Sequence, residues 1–493
     1  MRTLRRGCSG VLSIFDEHPP LARVAAWPSY RWLVVGTVCI GAFLGQLDAS
    51  IAGLVLPTLE QVFGAPIASV EWVAIAYLLT LAALVVPLGR MGDLVGRKAL
   101  YTWGFVVFVC GSAVCGLAPS LGWLIVFRVG QAFGATMLQA NSVAIITAAV
   151  PRRALGRAIG VQGAAQAVGL SIGPSVGGFL IDSLGWQWVF FIAVPFGIVG
   201  TAMAWLILPR TGHTSIAVTQ APERFDWLGA ALLGPSVGLI LLGLTYGSSW
   251  GFTSAAFLST VGLAAACAGM LVLVERRSAS PLVDLHLLRV RSFSRGLVAG
   301  LLSYAVLFGS LFLIPFYLER VLGKTAAQTG LLLTPVPIAL GMMAPIAGTL
   351  TDRTGAGPPT IVGMAIAALA LAGLALAPGV GLAPTLGLLL LLGIGLGLFI
   401  PANNSAVMGS APANRLGVAG GILNMTRSLG TSLGVAVSGA VLGLRLSARL
   451  GTQAHSTLDA PVTALLPAFH ETLLFLAGLA ALSALVVSRA RQS

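Results

Sequence analysis

Two side chains in this sequence carry charge where apolar sequence surrounds them. Asp48 lies about six residues before the end of one long apolar segment, and Arg128 about six residues after the start of another. At a helical rise of 1.5 Å per residue, both sit about 9 Å below the same surface. Equal depth allows the two to pair if their helices are neighbours. A carboxyl can take up and release a proton, whereas a guanidinium keeps its charge. The pair therefore has the chemistry of a proton carrier with a fixed counter-charge. A permanent structural ion pair is the plainer alternative, as is an arginine that snorkels outward.

A second polar group is centred on Arg427, about 12 residues into a later apolar segment. Gln139, Asn141, Gln162 and Gln166 in the first half of the chain are candidates to share a cavity with it. Asn403, Asn404 and Asn424 are the candidates from the second half. Each can equally serve as a hydrogen bond between helices. Glu319, followed by Arg320, suits an interfacial ion pair, with a functional acid as the alternative. No catalytic group is expected. The sequence offers no nucleophile–base pair, no phosphate loop and no metal-ligand spacing. Its five cysteines include no CxxC, and its five histidines are scattered.

The elements that position these residues must be membrane helices. The 493 residues are 57% hydrophobic and 9% charged, with a mean hydropathy of +0.95, whereas soluble domains carry about 25% charged residues. Fourteen apolar spans are expected, at 31–54, 68–89, 98–118, 122–149, 155–181, 186–208, 227–247, 253–274, 295–319, 329–351, 358–378, 383–409, 415–444 and 469–488. Placing both termini in the cytoplasm assigns 22 of the 28 Lys and Arg residues to inner loops and tails. That bias orients the chain by the positive-inside rule. It also accounts for the net charge of +13 without nucleic acid. No cleavable signal is expected, because the first span is too long for one.

The punctuation of the chain occurs twice. Gly89, Asp93 and Gly96 in GRMGDLVGRK recur 259 positions later as Gly348, Asp352 and Gly355 in GTLTDRTGAG. Pro151, Gly156, Gly160, Gly169, Gly173 and Gly178 recur 261 positions later as Pro412, Gly417, Gly421, Gly430, Gly434 and Gly439. The offset spans eight helices, so the copies share one orientation. Two central helices are then an insert between two six-helix bundles. The expected organisation is a tail (1–30), a first bundle (31–208), a linker (209–226), two inserted helices (227–274), a second linker (275–294), a second bundle (295–488) and a short tail (489–493). Duplicated halves in a membrane usually hold a binding site between them and rock about it. Asp93 in the first copy can pair with Arg97 or Arg90. In the second, Asp352 with Arg353 is expected to form a weaker latch, because Gly357 stands where Lys98 would map. Gly169, Gly173 and Gly177 recur every four residues beside Pro174 and Gly178, forming a small-residue face for close packing.

These stretches also carry a family likeness. LDASIAGLVLP, GRMGDLVGRK, FRVGQAFGA, GLSIGPSVGGFL and LGVAGGILNMTRSLGTSLGVAVSGAVL resemble the fourteen-helix drug:proton antiporters of the major facilitator superfamily, over nearly the full length. The resemblance implies an all-α polytopic fold of two six-helix bundles plus two inserted helices. It implicates Asp48 in function, and it makes the first and fourth helices neighbours, so that Arg128 can pair with Asp48 in proton coupling. Gating is implied through Gly89, Asp93, Gly96 and Arg97, and GPSVGG points to export rather than import. The expected activity is exchange of protons for a bulky, largely apolar drug or metabolite, by a monomer in the cytoplasmic membrane. The proton gradient supplies the energy, and no cofactor is needed. Lipid or glycolipid translocation and a non-transporting sensor or scaffold are the alternatives.

Overall fold

A computed structural model describes residues 17–65, 67–70, 72–210, 225–251, 253–276, 285–318, 323, 326–376, 382–412, 415–450 and 461–488. Regular structure among them is helical throughout. Inside a bilayer there is no water to satisfy backbone groups, so each spanning segment closes its own hydrogen bonds. The spanning helices are α1 (Tyr30–Phe63), α2 (Trp72–Val95), α3 (Arg97–Gly116), α4 (Leu121–Ala149), α5 (Leu155–Leu184), α6 (Trp188–Ile207), α7 (Trp227–Trp250), α8 (Ala255–Glu275), α9 (Arg291–Phe316), α10 (Pro335–Thr354), α11 (Gly357–Leu376), α12 (Leu382–Gly409), α13 (Leu416–Leu450) and α14 (Val462–Ser488). Thirteen of these stretches are both long and apolar enough to cross a membrane, and α5, at 30 residues, is long enough to be the fourteenth.

Local chemistry sets several boundaries. Gly64 at φ 58° ends α1, nine residues beyond the expected end. The side chains of Asp226 and Ser254 accept from the backbone N–H of Gly229 and Phe257, capping α7 and α8. Residues 90–97 fall between the expected spans 68–89 and 98–118, which makes GRMGDLVGRK a short loop, yet it is mostly helical. Residues Gly89 to Val95 continue α2, and Gly96 at φ 118° makes the whole turn into α3. A single residue suffices because glycine adopts that conformation without a Cβ clash. The second inner linker is also shorter than expected, since α9 begins at Arg291.

The duplication is visible in the packing. In the first half α1 packs on α4, α5 and α6, α2 on α4, and α3 on α4 and α6. In the second half α9, α10 and α11 make the same pairings with α12, α13 and α14. Between the halves α5 packs on α10 and α2 on α13, and these two interfaces are also copies of one another. The inserted α7 lies against α2 and α13, burying Leu233, Val237 and Leu241, and α8 packs on α7 with most of its surface exposed.

One face of the bundle is closed by two matching contacts. Asp93 Oδ2 accepts from the backbone N–H of Val418 at 3.1 Å, at the start of α13. Asp352 Oδ1 and Oδ2 accept from the N–H groups of Gly156 and Arg157 at 2.7 and 2.9 Å, at the start of α5. Each carboxylate thus takes up N–H groups that a helix leaves unsatisfied, where the helix dipole favours negative charge. Arg97 braces Asp93 at 2.7 Å, but Asp352 binds backbone of the opposite half rather than Arg353, which is exposed. The second latch thus works through backbone N–H groups of the opposite half rather than through an ion pair. Backbone proximity explains this, because Gly348 packs directly on the backbone of Gly156, leaving no room for a Cβ on either.

A side chain at position 348 should push α5 and α10 apart at this face, since overpacking costs about 1–3 kcal/mol. Spin labels at 153 and 353, in a background cleared of native cysteines, are expected to show a longer separation in Gly348→Val. An unaltered distance distribution would show that the glycine contact does not hold the face shut.

Candidate functional site

The sequence separates Asp48 and Arg128 by 80 residues, and the fold brings them into contact. Arg128 Nη1 donates to both carboxylate oxygens of Asp48, at 3.0 and 2.9 Å. Their side chains are 1% and 4% exposed for arginine and aspartate. Gln131, one turn along α4, donates from Nε2 to Asp48 Oδ1 at 2.9 Å and accepts from Arg128 Nη1 at 2.6 Å. Its Nε2 also donates to Ser112 Oγ of α3 at 2.6 Å. Arg128 Nε donates to the carbonyl of Val73 in α2 at 3.2 Å. The Tyr77 ring lies 4.2 Å from the guanidinium carbon. One arginine therefore ties α1, α2 and α4 together, and its charge is answered by one carboxylate.

Tyr77 also lines a cavity of about 260 Å³ between the two halves. Gln46 and Ala49, beside Asp48 in α1, share that lining. Across the cavity stands Arg427 of α13, with Nη1 donating to Gln166 Oε1 at 3.1 Å. The Tyr304 ring centroid is 5.6 Å from its guanidinium carbon. Two smaller recesses open beside the same Gln166 and Arg427. Toward the latched face the cavity is closed where Asn424 Nδ2 donates to the Gln139 carbonyl at 3.0 Å. Arg427 is the charged residue in the lining of all three spaces, and among the described residues no carboxylate pairs with it. A lone arginine at mid-membrane costs about 2.5–3.5 kcal/mol on insertion scales.

Of the expected cavity residues, Gln139, Gln166 and Arg427 line the main space, and Gln162, Asn404 and Asn424 line a recess. Asn141 and Asn403 do not line these spaces. Asn141 donates to the Met137 carbonyl in its own helix and fills the space against Gly92. Asn403 ties α12 to the Gly296 carbonyl of α9 at 3.0 Å. Helical position alone does not say which way an amide turns, and these two satisfy backbone groups. Gly169 and Gly173 seat α5 against Phe43, Leu47 and Ser50 of α1, and Gly177 is buried in α5 with Gly178 half-buried beside it. Pro174 lies on the same helix, with its side chain outside the described residues, as is the whole of Glu319.

Three side chains of the network around the ion pair escape a reading based on charge. Gln131 sits three residues from Arg128, so its spacing on the helix is the signal that finds it. Ser112 and Tyr77 come from other helices and carry no such signal. Glu17, outside any motif, accepts from the Lys98 and Ala99 backbone N–H groups and braces the turn at Gly96.

Comparison with known proteins decides the family. The Major Facilitator Superfamily model matches residues 38–228 and 227–435. The chain belongs to the Major Facilitator Superfamily. It is 31% identical over 407 residues to the riboflavin transporter RibZ of Clostridioides difficile, covering 82% of this chain and 87% of that one. It is 30% identical over 416 residues to the tetracenomycin C resistance and export protein of Streptomyces glaucescens, covering 84% and 76%. The crystal structure of the human organic anion transporter MFSD10 superposes with a TM-score of 0.65 at 16% identity, covering 93% and 99%, which is a likeness of fold. The protein is thus a multi-pass membrane transporter of that superfamily.

Removing one member of the buried pair should destabilise unequally. Asp48→Asn strands a guanidinium that cannot lose its charge, at a cost of about 3–5 kcal/mol. Arg128→Met leaves a carboxyl that can take a proton, so it should cost less, and adding Arg128→Met to Asp48→Asn should recover stability. Thermal unfolding in detergent ranks the three. A double variant weaker than Asp48→Asn would show that the pair is not coupled as the geometry requires.

Proposed function

We propose that the protein exports bulky, largely apolar organic compounds across the cytoplasmic membrane in exchange for protons, by alternating access. The observation that carries this reading is the Asp48–Arg128 pair, buried beside the central cavity with Tyr77 between it and the lumen. Asp48 is the member of the pair that can be neutralised. In the proposed cycle, a proton from outside joins Asp48 and Arg128 loses its counter-charge. The guanidinium then leans on Gln131 Oε1 and the Val73 carbonyl, both already within reach.

Helix α2 carries the consequence. Val73 and Tyr77 lie near one end of it, and Asp93 lies near the other. A shift at Arg128 therefore acts on the same helix, interrupted by Pro87, whose far end holds α13 through Val418. Release of the two latches opens the cavity to the cytoplasm, where substrate enters and displaces the proton. Export in the name of the Streptomyces glaucescens relative supports that direction. One charge moving with the potential is worth about 2.3 kcal/mol per 100 mV, or roughly 50-fold accumulation.

Inverted membrane vesicles with an internal pH dye test the coupling. Riboflavin and tetracenomycin C are the first compounds to apply, as those the relatives' names carry. Substrate-evoked proton movement is expected in the wild type and a loss of at least about tenfold in Asp48→Asn, the equivalent of about 1.4 kcal/mol. Proton movement that survives Asp48→Asn would remove Asp48 from the coupling step.

A further inference from the structure

The cavity presents its charge on one side only. Asp48 and Arg128 answer each other inside the protein, and neither lines the open space. Arg427 does line it, within reach of both smaller recesses. Its protein partners are a neutral amide and an aromatic face. Gln166 accepts from Arg427 through Oε1, which leaves its Nε2 as a second donor beside the guanidinium. The nearby hydroxyls of Ser428 and Thr431 donate to carbonyls of their own helix, so they do not supply the missing negative charge. Around this polar spot the wall is apolar, with Leu81, Leu170, Leu241 and Phe308.

We infer that the transported compound is an amphipathic organic anion. Its carboxylate or sulfonate binds Arg427 and the Gln166 amide, and its flat apolar body lies along Phe308 and the leucines. This rests on the transport reading above and names the substrate class for that cavity. A guanidinium presents paired donors that match a carboxylate's two oxygens. A low-dielectric wall strengthens that attraction and equally strengthens repulsion of a cation. The same charge thus selects for anions and against the organic cations of similar shape.

Charge accounting gives the inference a second face. With Asp48 ionised and an anion on Arg427, the buried groups and the substrate sum to zero. With Asp48 protonated and the cavity empty, Arg128 and Arg427 leave two positive charges. Exchange of one anion outward for one proton inward therefore moves two positive charges inward per cycle. Membrane potential, negative inside, drives both components.

The full-length protein in nanodiscs, probed by fluorescence anisotropy with fluorescein and rhodamine 123, tests the selection. The two dyes share a flat tricyclic body and differ in charge. Fluorescein is expected to bind at least about tenfold more tightly than rhodamine 123, a difference of about 1.4 kcal/mol. Arg427→Gln should remove that preference, while Arg427→Lys, which keeps the charge, should retain most of it. An unchanged thermal transition establishes that each variant is folded. Tighter binding of rhodamine 123, fluorescein binding unaffected by Arg427→Gln, or no binding of either dye to folded wild type would each overturn the inference. The measurement needs no proton gradient, so its failure leaves the Asp48 coupling standing, and loss of the coupling leaves this result standing.

Discussion

A guanidinium in a membrane interior must find a negative partner or a route to water, and Arg128 has only the first. It is almost wholly buried, and its charge is met by Asp48 alone among the described residues. That one pairing fixes the separation of α1 and α4, and the Nε contact to Val73 adds α2. Because arginine keeps its charge, the adjustable member is Asp48. Any event that neutralises the carboxylate leaves a buried cation seeking new acceptors. Gln131 Oε1 and the Val73 carbonyl are the ones already present. The pair is therefore both a local constraint on three helices of the first bundle and one that protonation can undo.

The two halves share packing but not chemistry. Each offers a helix-terminal carboxylate to the start of a helix in the other, Asp93 to α13 and Asp352 to α5. Each brings glycines to the crossing, Gly421 against Val85 and Val86, and Gly348 against Gly156. Where the first half has Arg128, however, the second has Leu389, fully buried in an apolar core. By the 259-residue offset of the neighbouring helix, Asp48 maps to Leu307, buried in the same apolar core. Duplication preserved what the hinge needs on both sides. The second helix of each half reaches a latch, but the charged pair is confined to the first half.

Much of this was legible because it depends on one-dimensional quantities. Segment length, apolar content and the 259–261 residue offset define fourteen helices and the pairing of halves. Depth along a helix put Asp48 and Arg128 at one level. What escaped depends on rotation and on partners from distant helices. Asn141 and Asn403 look like cavity amides by composition, yet each is turned onto backbone carbonyls. GRMGDLVGRK reads as a loop from its glycines, but Gly89 and Gly92 permit close packing within α2 and only Gly96 breaks it. Asp352 looked weak by its missing cationic neighbour, whereas its partners are backbone N–H groups that no residue pattern reveals.

The closed face combines polar contacts that water can replace with apolar ones that it cannot. Its polar contacts join carboxylates to helix-terminal N–H groups, and both sides of those bonds can be satisfied by water once exposed. Its glycine-to-backbone crossings sit beside an apolar cluster that draws on both halves, Val85, Val86 and Ile145 with Val418, Ile422 and Leu423, so separation also exposes apolar area whose burial favours the closed state. The far face has a different character, with Arg445 and Arg449 both held by Glu471 within the second half rather than across the gap. Between the two faces lies a cavity whose single cation has no acidic answer from the protein. A transporter whose internal charges were all matched would gain nothing electrostatic from its cargo. In this one, a ligand of the right sign completes the match, so occupancy of the cavity and stability of the loaded state are the same event.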